Sequence, residues 1–380
     1  MRIGIDARFY GSAGKGLGRY TERLIAHLEQ IAPPNDDFVI FLQQESWDAY
    51  QPANPRFHKV RADFRWYSLA EQRQMPALVR SAKLDLMHYP HFNVPLLTPS
   101  PFVVTIHDLI LTHFPTRRAT TLGPALYWFK HLAYRITLSR AVARASHILT
   151  VSQFTAFDIQ KYFGYDPKKI SVTYEAVDTF PKPASNDQEV LRHLAVPGRY
   201  LLYVGNAYPH KNLEALVHLL QLLPQKYADL HVVIVGRPDY FLTRLQQLVA
   251  STHLQERVHF PGYVTDAELG SLYRNAHAYI FPSLYEGFGL PPLEAMAQGT
   301  PVISSNASCM PEILGDAALY FNPKDTRGML AALERLDVEP NLRPQLVDKG
   351  RQRVAQYSWK NLAATTLQVY HSSAQSPHEV

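Results

Sequence analysis

The chain has 380 residues, 46% of them hydrophobic and 19% charged. That is about twice an ordinary domain, with the composition of a chain that builds packed cores, so two domains are expected. Its 38 basic and 33 acidic residues leave a formal charge of +5, too small an excess to point to nucleic acid, yet compatible with phosphorylated ligands or an anionic surface.

One cysteine, Cys309, excludes an internal disulfide and a cysteine metal cluster, and a reducing, cytoplasmic setting is expected. The opening MRIGIDARFYG reads as a first strand, not a signal peptide. No apolar run approaches the length of a membrane span.

Met1 to Asp6 is predicted as a strand, Gly11 to Gly18 as a glycine-rich loop, and Arg19 to Ile31 as a helix whose Tyr20, Leu24, Ile25 and Leu28 share a face. Phe38 to Leu42, Leu84 to His88, Pro101 to Ile106 and Ile148 to Val151 follow as short buried strands. Ser152 stands where a helix N-cap belongs. Strands alternating with amphipathic stretches argue for a parallel sheet covered on both faces.

Residues 181–198 are rich in Pro, Ser, Asn and Asp and are predicted as a linker between a first domain, 1–180, and a second, 199–357. In the second, RYLLYVG, LHVVIVG, HAYIFPS, TPVISS and ALYFNP are strand candidates, with helices over Asn212 to Leu223 and Asp266 to Ala276. A closing helix is predicted over Trp359 to His371, within 358–380. Ligands of open parallel sheets bind at the carboxyl ends of the strands, so the loops after strands are where chemistry is expected.

The most informative segment is SLYEGFGLPPLEAMAQGTPVISS. Gly287 and Gly289 permit close approach of backbone amides to a ligand. Pro291 and Pro292 suit a first helical turn, and Gly299 suits the helix end. Glu286 is therefore expected in a loop and Glu294 in the next helix. A helix start with free amides and a positive dipole end suits a diphosphate, and a carboxylate there suits vicinal hydroxyls such as those of a ribose. Taken singly, either glutamate reads more readily as a surface residue; the whole arrangement turns the reading toward function.

This segment resembles the signature of the retaining glycosyltransferases of family four, which share the two-domain GT-B fold. GLGRY, TIHDL, TVSQFT, YVGNAYPHKNL, VGRP, FPGYVTDAEL and PEILGDAALYFNP match the family's pattern in order, the C-terminal half being the more specific. The resemblance implies two Rossmann-like α/β domains facing across a cleft, with the C-terminal helix crossing back to the first. It implies transfer of a hexose from a nucleoside-diphosphate sugar, with retained configuration and neither metal nor other cofactor; the absence of any D-x-D pair agrees with that.

Position by position, Glu294 resembles the ribose-holding residue and Glu286 the residue facing the donor sugar. Gly287, Phe288, Gly289 and Leu290 resemble the amides that support sugar and diphosphate, and Lys211 the lysine that neutralises the diphosphate. Gly205 belongs to the same phosphate loop. Asn206 and His210 stand where many members carry an arginine, with Arg237 as a substitute cation. Tyr263 and Val264 match the residues that touch the base. In the first domain, Gly16 and Gly18 match the phosphate-facing glycines, and His107 the residue that bonds the donor sugar; a structural histidine is the alternative, with Asp108 capping its surroundings.

Overall resemblance to bacterial polysaccharide mannosyltransferases favours mannose, with guanine and uracil both open for the base. A glycan or polyprenyl-diphosphate-linked acceptor is implied, as in lipopolysaccharide synthesis. The stretch from Phe114 to His147 mixes aromatic residues with Arg117, Arg118, Lys130, Arg135, Arg140 and Arg144. It reads either as a face for peripheral contact with an anionic membrane on the cytoplasmic side or as a solvated helix. Two other functions remain in play at this stage: a sugar-nucleotide epimerase or hydrolase, and a nucleotide-sugar-binding protein without turnover. The glycine spacing disfavours a dinucleotide-binding dehydrogenase.

Overall fold

The computed structural model describes residues 1–11, 15–115, 123–181 and 186–375. They form two compact units. One comprises Met1–Thr112, Pro124–Glu175 and Ser358–Val380, the other His113–Gly123 and Ala176–Tyr357.

The first unit is built on seven parallel strands: β1 Arg2–Asp6, β2 Asp37–Leu42, β3 Phe57–Arg61, β4 Leu86–Tyr89, β5 Phe102–Ile106, β6 His147–Thr150 and β7 Ile170–Val172. They lie in the order β3-β2-β1-β4-β5-β6-β7. The order reverses at β1, where Ile3 is in register with Phe38 on one side and Leu86 on the other. Central strands such as FVVTI are buried along their whole length, as helices on both faces require.

The C-terminal helix Trp359–Gln375 packs on helix Lys15–Ile31 in this unit. A buried polar chain ties it down. Tyr370 Oη lies 2.6 Å from His88 Nδ1, and His88 Nε2 lies 2.8 Å from Thr105 Oγ1. Burial holds His88 neutral, down at about 3, with the positive charge of His107 acting in the same direction.

The second unit carries β8 Arg199–Val204, β9 Leu230–Val235, β10 Val258–Gly262, β11 Ala278–Phe281, β12 Val302–Ser305 and β13 Ala318–Phe321. All are parallel, in the order β10-β9-β8-β11-β12-β13. Here the order reverses between β8 and β11. The loops leaving those two strands therefore emerge side by side at the switch point, where a crevice forms in sheets of this kind.

Three expectations change. Helix Lys15–Ile31 begins before Arg19, so Gly16 and Gly18 are helical and not part of a loop; residues 12–14 lie outside the described ones. The stretch expected as a linker holds helix Asp187–His193, capped by Asn186 Oδ1 on Glu189 N at 3.0 Å. Asp187 pairs with Arg274 at 2.6 Å and joins the second unit; residues 182–185 lie outside the described ones. The division also falls at Glu175/Ala176, and His113–Gly123 belongs to the second unit although the flanking chain belongs to the first. Strands β3, β7 and β10 are additional: β7 is three residues long, and β3 is half-exposed, too weak a periodicity to read.

Candidate functional site

Beyond β8 the chain turns at Gly205, whose φ is +145° and whose N–H donates to Val235 O at 2.9 Å. A side chain there would meet Tyr203 Oη at 2.9 Å, so the turn closes on the sheet only with glycine. A short 3-10 turn, Pro209–Lys211, then leads into Asn212 at φ 58°. The Asn212 amide donates to Pro282 O at 3.1 Å and Pro323 O at 2.9 Å, and Leu284 N–H donates to His210 O at 2.8 Å. These bonds lash the Lys211 turn to the loops after β11 and β13.

The result is an ion pair between two residues far apart in sequence. Lys211 Nζ donates to both oxygens of Glu286, at 2.7 and 2.8 Å. The side chains are 17% and 9% exposed, so the pair is largely out of solvent. Glu286 N–H donates to Ser308 Oγ at 3.0 Å, and Cys309 Sγ donates to the carbonyls of Glu286 and Phe288 at 3.3 and 3.4 Å. The single cysteine is thus a buried clasp beneath this loop.

Gly289 takes φ +90° and caps helix Leu290–Ala297, with Pro291 and Pro292 in the first turn. A side chain at Gly289 would lie 2.5 Å from Met310 Cε, so the backbone runs hard against its neighbour. Glu294 follows in the helix, buried, with Oε2 accepting from Tyr273 Oη at 2.9 Å. Gly299, at φ +78°, lies just past the helix end. The second unit thus brings Lys211, Glu286, the Gly287–Leu290 segment and Glu294 together around one helix start, where Pro291 and Pro292 carry no N–H and Leu290 alone of the first three helical residues has one.

The neighbouring positions behave differently. Burial pushes His210 down to about 4, aided by the charge of Lys211, so it is a neutral group. Asn206 Oδ1 accepts from Tyr208 N, and its carbonyl accepts from Tyr203 Oη at 3.0 Å. Arg237 rests 5.2 Å from the ring centre of exposed Tyr263, while Val264 is buried. Among the described residues no three His, Cys, Asp or Glu side chains are grouped to hold a metal ion.

Sequence reasoning missed Tyr273 and Ser308, which hold the two glutamates, and His113 and Phe114, which pack against Tyr285 at 5.1 and 6.0 Å. None carries a local pattern; only proximity reveals them.

In the first unit Gly18 is required by packing: a side chain would lie 2.0 Å from Gly11 O and 2.6 Å from Phe9 O. At Gly16 a side chain would meet nothing within 4 Å. His107 directly follows β5 and has both ring nitrogens engaged, Nδ1 at 3.3 Å from Glu175 Oε1 and Nε2 at 3.0 Å from Pro90 O. Burial works against its cation. The hydrogen bond and charge of Glu175, with Pro90 O and Asp108, outweigh it, so the His107 value is raised. Asp108 Oδ1 accepts from Ile110 N at 2.9 Å, the local capping expected of it.

A buried charge network went unread in the sequence. Arg8 Nε and Nη2 donate to Asp6 at 2.7 Å each, and Nη2 also reaches Glu71 at 2.6 Å. Asn93 Nδ2 donates to Glu71 at 2.9 and 3.0 Å.

The aromatic and basic stretch forms helix Pro124–Arg144, whose Leu126, Trp128, Phe129, Leu132 and Ile136 are all exposed; Arg117 and Arg118 lie outside the described residues. No helix among the described residues is long and apolar enough to cross a membrane.

Two family models match the chain: Glycosyltransferase Family 4 over residues 14–179 and Glycosyl transferases group 1 over residues 192–353. It is 30% identical over 364 residues to the O-antigen chain mannosyltransferase RfbU of Salmonella typhimurium, covering 93% of this chain and 94% of that protein. It is 31% identical over 313 residues to an O-antigen chain mannosyltransferase B of Escherichia coli, covering 80% and 78% of the two chains. Among solved structures, sucrose-phosphate synthase from Thermosynechococcus elongatus superposes with a TM-score of 0.76 at 19% identity, over 98% of both chains. WaaG, a glycosyltransferase involved in lipopolysaccharide biosynthesis, superposes with a TM-score of 0.71 at 14% identity, over 97% and 99%. These two likenesses are of fold, and that fold is GT-B.

Proposed function

Because this chain belongs to the family 4 glycosyltransferases, with their group 1 domain, we propose that it moves mannose from GDP-mannose to a lipid-linked saccharide, with retained configuration and without a metal. The names of the two sequence relatives support mannose and a growing glycan. The observation that carries the chemistry is the Lys211–Glu286 pair beside the start of helix Leu290–Ala297.

The step breaks the bond between the anomeric carbon and the diphosphate oxygen, and negative charge grows on the leaving nucleoside diphosphate. An ammonium group and helix-start amides aimed at that charge are worth more in the transition state than in the ground state. On binding, Lys211 exchanges the Glu286 carboxylate for a phosphate oxygen. Glu286 is thereby released to accept hydrogen bonds from sugar hydroxyls. Glu294, held by Tyr273, takes the ribose hydroxyls. The acceptor hydroxyl attacks the face the diphosphate leaves, and its proton passes to a phosphate oxygen of the leaving group, so no protein nucleophile is needed.

The test is thermal unfolding with GDP, UDP and their sugars, followed by nucleotide release with a lipid-linked acceptor fraction. Stabilisation by GDP-mannose, with acceptor-dependent GDP release, is the expected result. Stabilisation by UDP-sugars alone, or donor conversion to an epimer or free sugar, overturns it.

The same reading includes peripheral membrane contact on the cytoplasmic side. Helix Pro124–Arg144 presents Phe129, Leu132 and Ile136 outward with Lys130, Arg135 and Arg140 nearby, and contains no acidic residue. Apolar side chains flanked by cations suit an anionic bilayer surface. Flotation with phosphatidylglycerol vesicles is expected to lift the wild-type chain and not the Arg135→Glu/Arg140→Glu variant. Equal flotation of both removes this part.

A further inference from the structure

We infer that the first unit carries a saccharide-binding platform formed by Tyr67, Trp66, Phe9 and His91. It rests on the glycosyltransferase reading and names the acceptor side of that reaction.

Three loops build the platform, each leaving the carboxyl end of a strand: Phe9 follows β1, Trp66 and Tyr67 follow β3, and His91 follows β4. Phe9 stacks on Trp66 with ring centres 3.9 Å apart and planes 3° from parallel. His91 lies 5.5 Å from Phe9 and 6.4 Å from Tyr67. The preceding carbonyl, Pro90 O, contacts His107, so the cluster adjoins the residue expected at the donor sugar.

Tyr67 is the revealing member. It is 65% exposed and sits at φ 57°, a left-handed conformation that disfavours a bulky side chain. Lys83, Ala195 and His253 share that conformation, but each directly follows a helix cap, a common place for it; Asn212, Ser308 and Asn341 share it too, and these are small polar residues. Tyr67 is neither small nor placed after a helix cap, and its strained backbone is pinned from behind. Its N–H donates at 2.7 Å to Glu71, which is itself fixed by Arg8, Asn93 and Ser68. For folding alone glycine would serve better at this position. What tyrosine adds is an exposed ring held by a rigid buried network, as a binding site needs.

The polar groups suit a sugar. His91 Nδ1 accepts from Asn93 N at 3.3 Å, and burial keeps the ring neutral, near 3, so Nε2 carries the proton and offers a donor. Trp66 Nε1 is buried without a hydrogen-bond partner among the described residues, so it offers no donor at the surface. Aromatic rings beside a hydrogen-bond donor match a pyranose ring, which has an apolar face and a rim of hydroxyls.

The experiment uses the full chain labelled with 5-fluorotryptophan at its four tryptophans and read by fluorine NMR. It is titrated with α-1,3-mannobiose, maltose and chitobiose in turn, without sugar nucleotide. The Trp66 signal, assigned with Trp66→Phe, is expected to shift saturably with at least one disaccharide. Tyr67→Gly is expected to weaken that binding about tenfold, while Tyr67→Phe stays within about threefold. Tyr67→Gly is also expected to melt no lower than wild type, which a merely structural ring would not allow. No shift with any disaccharide, unchanged binding in Tyr67→Gly, or a lowered melting temperature each overturns the platform. Because no donor is present, failure here with GDP-mannose consumption intact removes the platform alone, and failure of donor turnover leaves this result readable.

Discussion

Replacing Lys211 with methionine separates stability from catalysis at the ion pair. With nitrogen-to-oxygen distances of 2.7 and 2.8 Å, the gross attraction at an effective dielectric of about 20 is roughly 6 kcal/mol. Desolvating two largely buried ions offsets most of that, so the intact pair contributes little net stability. Removing the cation is different, because Glu286 then remains buried without its partner. That costs about 3 kcal/mol, the low end for such a loss, since the lysine end is still partly exposed. At about 2–4 °C per kcal/mol for a domain of this size, Lys211→Met is expected to melt roughly 6–12 °C lower.

Turnover of GDP-mannose is expected to fall about 10²–10³-fold, the usual loss of one preorganised charge-stabilising group. Lys211→Met/Glu286→Gln removes the stranded charge, so it recovers most of the melting temperature and none of the activity. Calorimetry and initial-rate measurements on wild type and the variants test this together. Lys211→Met melting within about 1 °C of wild type, or activity returning in the double variant, refutes the reasoning.

Glu294→Ala is expected to weaken GDP binding about 10–100-fold by calorimetric titration, with Tyr273→Phe losing roughly fivefold through the missing hydroxyl alone. The two helical glycines of the first unit are expected to diverge. Gly18→Ala drives a methyl group into the Gly11 and Phe9 carbonyls and is expected to cost more than 3 kcal/mol or prevent folding, whereas Gly16→Ala enters open space and gains about 0.5 kcal/mol in helix propensity, both read by urea denaturation. His107 has a raised value in the folded chain, so its stabilisation is complete below its ordinary 6.5 and is lost as pH rises through the folded value. The melting-temperature gap between wild type and Glu175→Gln is therefore expected to be widest in mildly acidic buffer just below 6.5 and to close in alkaline buffer.

The linear chain by itself determined the alternation of strands and helices, because buried parallel strands are near-continuous apolar runs that stand out locally, as in RYLLYVG and LHVVIVG. It likewise marked the GFGLPP helix start, since glycine and proline have positional meanings that need no tertiary context. It left weakly patterned elements unread, such as β7 and helix Asp187–His193, which is held by Arg274 from another element. Tertiary structure alone decided the partners. Lys211 meets Glu286 because the strand order reverses between β8 and β11 and sets their loops side by side. His210 is neutral because its surroundings are buried, and Arg8 joins Asp6 to Glu71 and Asn93 because the carboxyl ends of β1 and β4 adjoin. Periodicity and turn chemistry are properties of neighbours along the chain. Charge pairing and desolvation depend on neighbours in space, which only sheet order supplies.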